Sequence, residues 1–185
     1  PKERIQVYFI DNDEYFTRTG TLFDEENNMY PDNDERCIFF AKGIVETVKK
    51  LNWLPDIIHI HGWVSALLPL YLRTYYKDEP IFSESKIIPS VFDSDYDGAL
   101  DSALINKVAF DGISKKTIDP LKNPTYYNLM RIAIKHSDGV IVVSEKMPDD
   151  FKTYLKNLRK PVIYNSDKET FQESYREFYT KILKK

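Results

Sequence analysis

Two histidines close an apolar run, Asp56-Ile57-Ile58-His59-Ile60-His61, and Gly62 and Trp63 follow at once. Side chains alternate along a strand, so His59 and His61 share one face. A polar pair at the end of a buried strand, followed by glycine and tryptophan, fits the lip of a ligand cleft. The competing reading makes both histidines core or rim residues satisfied by backbone groups. Three other runs end in polar residues: Asp11-Asn12-Asp13, Phe92-Asp93 and Ser144-Glu145. Asp93 is a candidate carboxylate among them, although acidic loops are usually just solvated surface. Trp63, Tyr15, Phe16 and Tyr96 are candidate stacking platforms for a sugar, and core packing competes with that role for each. No Ser-His-Asp or Cys-His arrangement can be read from the spacing.

Other chemistries find little support. The histidines are His59, His61 and His136, with no cysteine cluster near them, so no metal site is expected. The six glycines form no Gly-rich loop between a strand and a helix, so no phosphate cradle is visible. Cys37 lies in the apolar Arg-Cys-Ile-Phe-Phe and reads as a small core residue rather than a nucleophile. A lone cysteine makes no internal disulfide, which points to a reducing compartment, the cytoplasm. The net charge of −3 argues against nucleic acid or an anionic membrane as partner. No apolar run approaches the roughly 18–20 residues that span a bilayer. The start, Pro1-Lys2-Glu3-Arg4, is unlike a signal peptide.

Alternating strands and helices must position these groups. β-branched and aromatic content predicts strands at 5–10, 56–61, 86–92, 140–143 and 161–164. Helical spacing predicts helices over 34–51, 63–76, 101–108, 123–136, 148–158 and 168–183. In the first helix Cys37, Phe40, Ile44, Val48 and Leu51 are expected inward, with Asn33 or Asp34 as the cap. Pro69 should kink the second helix, and Pro89 should leave its strand bulged or paired on one side. Residues 11–33 read as a long surface loop. The pattern implies one α/β domain over 1–185, a Rossmann-like parallel sheet with helices on both faces. Ligands of such sheets bind beyond the carboxyl ends of the strands.

The motifs in order resemble the ADP-glucose-type glycogen/starch synthases, a GT-B glycosyltransferase family. Tyr8-Phe9-Ile10-Asp11-Asn12 with Tyr15-Phe16 is similar to the family's first strand and aromatic loop. Asp32-Asn33-Asp34-Glu35-Arg36 leading into Phe39-Phe40 is similar to its Asp-Glu-Arg-Phe-Ala-Phe-Phe helix start. Pro55-Asp56-Ile57-Ile58-His59-Ile60-His61-Gly62-Trp63, Ala66-Leu67 and Pro69-Leu70-Tyr71-Leu72 resemble its Pro-Asp-Val-Ile-His-x-His-Asp-Trp-His-x-Ala-Leu-x-Pro-x-Tyr-Leu. Asn128-Leu129-Met130, Ser137-Asp138 and Val143-Ser144 resemble its later helix and strand.

The resemblance implies transfer of glucose from ADP-glucose to an α-1,4-glucan, with no cofactor beyond the donor. On the residues themselves, His61 and Asp93 stand as catalytic candidates, and His59, Trp63, Tyr15 and Tyr96 as substrate-binding candidates. The sequence also departs from the family. Gly62 stands for the family aspartate at the sugar-transfer site, Val64 for a histidine, and Phe92-Asp93 for a His-Asn pair. The family's Lys-Thr-Gly-Gly loop would precede Pro1, and its second Rossmann domain would follow Lys185. About two further N-terminal strands are expected in the intact protein. Glycosyl transfer must stabilise a cationic sugar and an anionic diphosphate together, and one such group is worth about 3 kcal/mol. The chain alone is therefore expected to be inactive, working with a second-domain polypeptide or as a homo-oligomer. The alternative is a non-catalytic glucan-binding or regulatory relative, and a third reading is an unrelated α/β module sharing only the fold.

Overall fold

A computed structural model describes residues 5–144, 146–164 and 171–184. Four parallel strands, β1 (Ile57–Ile60), β2 (Lys86–Val91), β3 (Val140–Val142) and β4 (Val162–Tyr164), lie side by side in chain order. The helices are α1 (Asp13–Phe16), α2 (Asn33–Lys50), α3 (Leu68–Arg73), α4 (Leu104–Phe110), α5 (Tyr126–Lys135), α6 (Asp149–Lys156) and α7 (Phe171–Leu183). This is the expected α/β layer, with helices on both faces.

The two faces are covered unequally. Ile60, Ile87, Val91, Val140 and Val142 pack into the large core with α2 to α6. Ile88 and Ile141 face the other way, onto Phe178 and Ile182 of α7, with Ile57, Val143 and Ile163 at the margin. Strand side chains alternate between faces, so this second core puts His59 and His61 on the α7 side. Gly139 lets α7 come close: a Cβ there would lie 2.8 Å from Ile182 and 2.9 Å from Phe178.

Pro89 behaves as its chemistry requires. It pairs with Ile60 on the β1 side, and pairing with β3 begins at Ser90, so its missing N–H interrupts no ladder bond. Four expectations are corrected. The β-branched run 5–10 forms no strand: Ile5, Val7 and Phe9 are 85%, 69% and 90% exposed, and no described strand pairs with them. β-propensity measures fit to a pleated, half-buried surface, and this run lacks the neighbour that would create one. Ile10 instead packs against Gly43 of α2.

Residues 63–76 are two helices and not one kinked helix. A single 3-10 turn at Trp63–Ser65 precedes α3, and Pro69 falls in the first turn of α3, where a missing N–H costs nothing. In α2 the buried stripe is Cys37, Ala41 and Val45, while Phe40, Ile44 and Val48 are only partly covered and Leu51 is exposed. Small residues on that stripe let α2 lie close to Trp63–Ser65. The cap of α2 is Asp32, and it makes no side-chain cap bond, because Arg18 grips both of its carboxylate oxygens. Asn33, an expected cap, is the first helical residue, with its side chain turned to Leu22 and Arg36. The expected start of the last helix at Lys168 lies outside the described residues; α7 is described from Phe171.

Gly139→Ala should loosen α7, because overpacking at such a contact costs about 1–3 kcal/mol. Hydrogen exchange should show α7 amides losing protection ahead of α2 and α5. Unchanged α7 protection would contradict this packing.

Candidate functional site

The carboxyl end of β1 delivers both histidines, and their rings lie 4.1 Å apart. Their surroundings separate them. His59 is enclosed between the sheet and α7, with Nε2 2.7 Å from the buried Ser90 Oγ and Nδ1 2.5 Å from the Tyr179 hydroxyl. A neutral imidazole has one donor and one acceptor, and both are engaged here. Burial, with His61 beside it, pushes the His59 pKa down to about 4. Burial also raises the Tyr179 pKa to about 12, so its hydroxyl stays protonated. The bond partners of His59 are side chains of Ser90 and α7, and not the backbone groups that its structural reading supposed. His61 is the more exposed of the two and packs 5.8 Å from the Phe92 ring. Partial burial lowers its pKa too, which favours the neutral ring.

The chain then leaves the sheet at Gly62, with φ 72° and ψ 171°. Only glycine occupies that region without strain. The turn aims the Trp63 N–H at Asp95, whose Oδ2 accepts it at 3.1 Å. Asp95 is open to solvent on one side, yet desolvation by the surrounding chain raises its pKa. Gly20 to Phe23, Gly62 to Val64 and Asp95 together line a cavity of about 580 Å³ at the strand ends.

One wall of that cavity is held by buried residues of α2. Asn33 donates to the Leu22 carbonyl at 2.9 Å, and Arg36 donates to the Thr21 carbonyl and to Asn33 Oδ1. The Arg36 guanidinium lies 5.9 Å from the Trp63 ring and 5.2 Å from Phe16. It pairs with no carboxylate among the described residues, so aromatic faces, the Thr21 carbonyl and the Asn33 amide oxygen carry its charge. Cys37, next along α2, is buried with its thiol donating to the Trp63 carbonyl, and burial holds it protonated. It is a core residue, as its apolar setting suggested.

The remaining candidates scatter. Trp63 and Tyr96 meet edge to face at 6.4 Å and are both buried, and the Tyr96 hydroxyl donates to the Pro124 carbonyl. Their large faces serve packing. Tyr15 is remote from this cavity: with Glu35, Lys42 and Lys107 it lines a groove between α2 and α4, and its hydroxyl donates to Glu35. Phe16 packs beside it on Phe39. Asp93 is exposed and accepts a hydrogen bond from Ser144; Glu145 lies outside the described residues. Asp95 was the residue the sequence reading missed. The only signal was a third acidic side chain in Asp93-Ser94-Asp95-Tyr96-Asp97, and nothing in that spacing marks which one turns inward. Among the described residues no group of His, Cys, Asp and Glu could hold a metal ion. No described helix is long and apolar enough to cross a membrane.

A parallel α/β layer with its polar cleft beyond the carboxyl ends of the strands defines a Rossmann-like ligand-binding domain. The family model for the starch synthase catalytic domain matches residues 1–160, and the chain belongs to that family. A glycogen synthase of Geotalea uraniireducens is 34% identical over 85% of this chain and 31% of its own length. A glycogen synthase of Chlorobium limicola is 33% identical over 81% of this chain and 30% of its own. That of Thermotoga maritima is 32% identical over 83% and 30%. The chain thus spans about a third of the length of these relatives. The resemblance first read from four motifs is the family.

Two outcomes follow. Gly62→Ala should destabilise the fold by about 1–3 kcal/mol in denaturant unfolding, through backbone strain alone, because the nearest atom to the new Cβ is 3.8 Å away. His59 is neutral when folded, with a pKa of about 4 against 6.5 unfolded. Between those values the unfolded chain takes up a proton that the folded chain refuses. Its contribution is complete above about pH 6.5 and is lost as the pH falls toward about 4. The melting temperature should drop over that window, and less steeply in His59→Gln; identical slopes would place the titration elsewhere.

Proposed function

We propose that this chain forms one wall of the transfer site of an ADP-glucose-dependent α-1,4-glucan glucosyltransferase. The observation that carries this reading is the grouping of Gly62, Trp63 and Asp95 about one cavity beyond the carboxyl ends of β1 and β2, in a chain of the starch synthase family. The Asp95 carboxylate, anchored at that place by the Trp63 N–H, can accept hydrogen bonds from sugar hydroxyls. The relatives are named glycogen synthases, which favours glucan as acceptor and ADP-glucose as donor, with no cofactor between them. The reducing cytoplasm is the compartment that suits the buried free thiol of Cys37.

Transfer also needs positive charge for the departing diphosphate. The cavity at Asp95 is lined by one carboxylate and no cation. Of the basic residues beside the neighbouring depression, Arg131 is already paired with Asp150 at 2.7 Å. We therefore assign the diphosphate to groups from a second domain, a second polypeptide or another copy of the chain. A second reading, a glucan-binding relative without turnover, is favoured by Gly62 and Val64 lining the cavity where the family has ionisable side chains.

Assayed as the 185-residue chain, the protein should bind maltohexaose or ADP-glucose in calorimetry. It should transfer no labelled glucose from ADP-glucose to glycogen. Binding of neither ligand would overturn the synthase reading. Transfer by the chain alone would overturn the assignment of the diphosphate elsewhere.

A further inference from the structure

We infer that Asp95 is the residue that receives the sugar hydroxyls in the cavity at the end of β1, a substrate-binding role that deepens the function proposed above and rests on it. Position 62 cannot serve, because its backbone lies where only glycine is unstrained. The space that a side chain there would enter is met by Asp95 instead: its Oδ2 lies 3.8 Å from the ideal Cβ position of Gly62. The carboxylate arrives from the loop after β2 at the corner that the end of β1 leaves bare.

The geometry also divides the two carboxylate oxygens. Oδ2 accepts the Trp63 N–H at 3.1 Å, which fixes the side chain over the turn. Oδ1 takes no hydrogen bond from any described residue, and the side chain is open to solvent. An anchored carboxylate with one uncommitted oxygen is a strong acceptor for hydroxyl donors, and charge-assisted bonds of that type are about twice as strong as neutral ones. The rest of the lining is Gly20, Thr21, Leu22, Phe23, Trp63 and Val64. It offers apolar surface, one hydroxyl and backbone groups, and it carries no cation. That chemistry suits a neutral polyhydroxyl ring and repels a phosphate.

The test is calorimetric titration of the full chain with three probes: maltohexaose, ADP-glucose and ADP. Asp95→Asn keeps an acceptor for the Trp63 N–H and removes the charge, whereas Asp95→Ala removes both. Asp95→Asn should weaken the sugar-bearing probe that the unmodified chain binds by about tenfold or more, with ADP affinity and melting temperature unchanged. Equal sugar affinity in Asp95→Asn would overturn the assignment. So would weakening confined to Asp95→Ala, which would leave Asp95 only the task of holding Trp63. In the unmodified chain the Asp95 carboxyl carbon resonance should shift on adding the same probe, and an unmoved resonance would also overturn the inference. Were the unmodified chain to bind neither maltohexaose nor ADP-glucose, whether or not it bound ADP, the synthase reading would fall and the Asp95 assignment with it; sugar binding that Asp95→Asn leaves intact would overturn the Asp95 assignment alone.

Discussion

A buried parallel strand must leave the sheet without stranding an N–H in the interior, and at the end of β1 that demand is met by a single left-handed residue. Gly62 turns the chain so that the next N–H, that of Trp63, points at Asp95 rather than into the core. The same turn starts the 3-10 segment that lays Trp63 under Arg36 and brings its carbonyl to the Cys37 thiol. The cavity walls, the placement of the one carboxylate and the contact between α2 and the end of β1 all follow from that bend.

The opposite wall depends on a buried cation without a carboxylate. Arg36 and Asn33 hold the Thr21 and Leu22 carbonyls, so a loop with little secondary structure of its own has a fixed shape where it borders the cavity. Loops positioned in this way by a rigid helix are common places for binding. Arg18 adds a second brace by taking Asp32, the residue that would otherwise cap α2.

On the other face, α7 is the one described helix that covers the sheet. Its hold is part apolar, through Phe178 and Ile182 against Ile88, Ile141 and Gly139, and part polar, through Tyr179, His59 and Ser90. His59 is therefore committed to the fold, and His61, two residues on, stays exposed at the strand end beside Phe92. The pair that looked equivalent by alternation is divided by one tyrosine from a helix 120 residues away in the chain.

The sequence alone determined the α/β alternation, the order of the strands' apolar runs, the family, and the strand end where polar groups gather. Those features are local: they follow from the period of apolar residues, from the places where proline and glycine interrupt it, and from contiguous motifs. Tertiary structure decided the rest. The run at 5–10 has every local mark of a strand, but a strand exists only with a hydrogen-bonded neighbour. The inward stripe of α2 fell on Cys37, Ala41 and Val45 because close approach to Trp63–Ser65 selects small residues over the larger ones at similar spacing. Asp95 was hidden among three acidic residues because its role comes from the backbone angle at residue 62 and a contact 33 positions away, and neither leaves a periodic trace in a sequence.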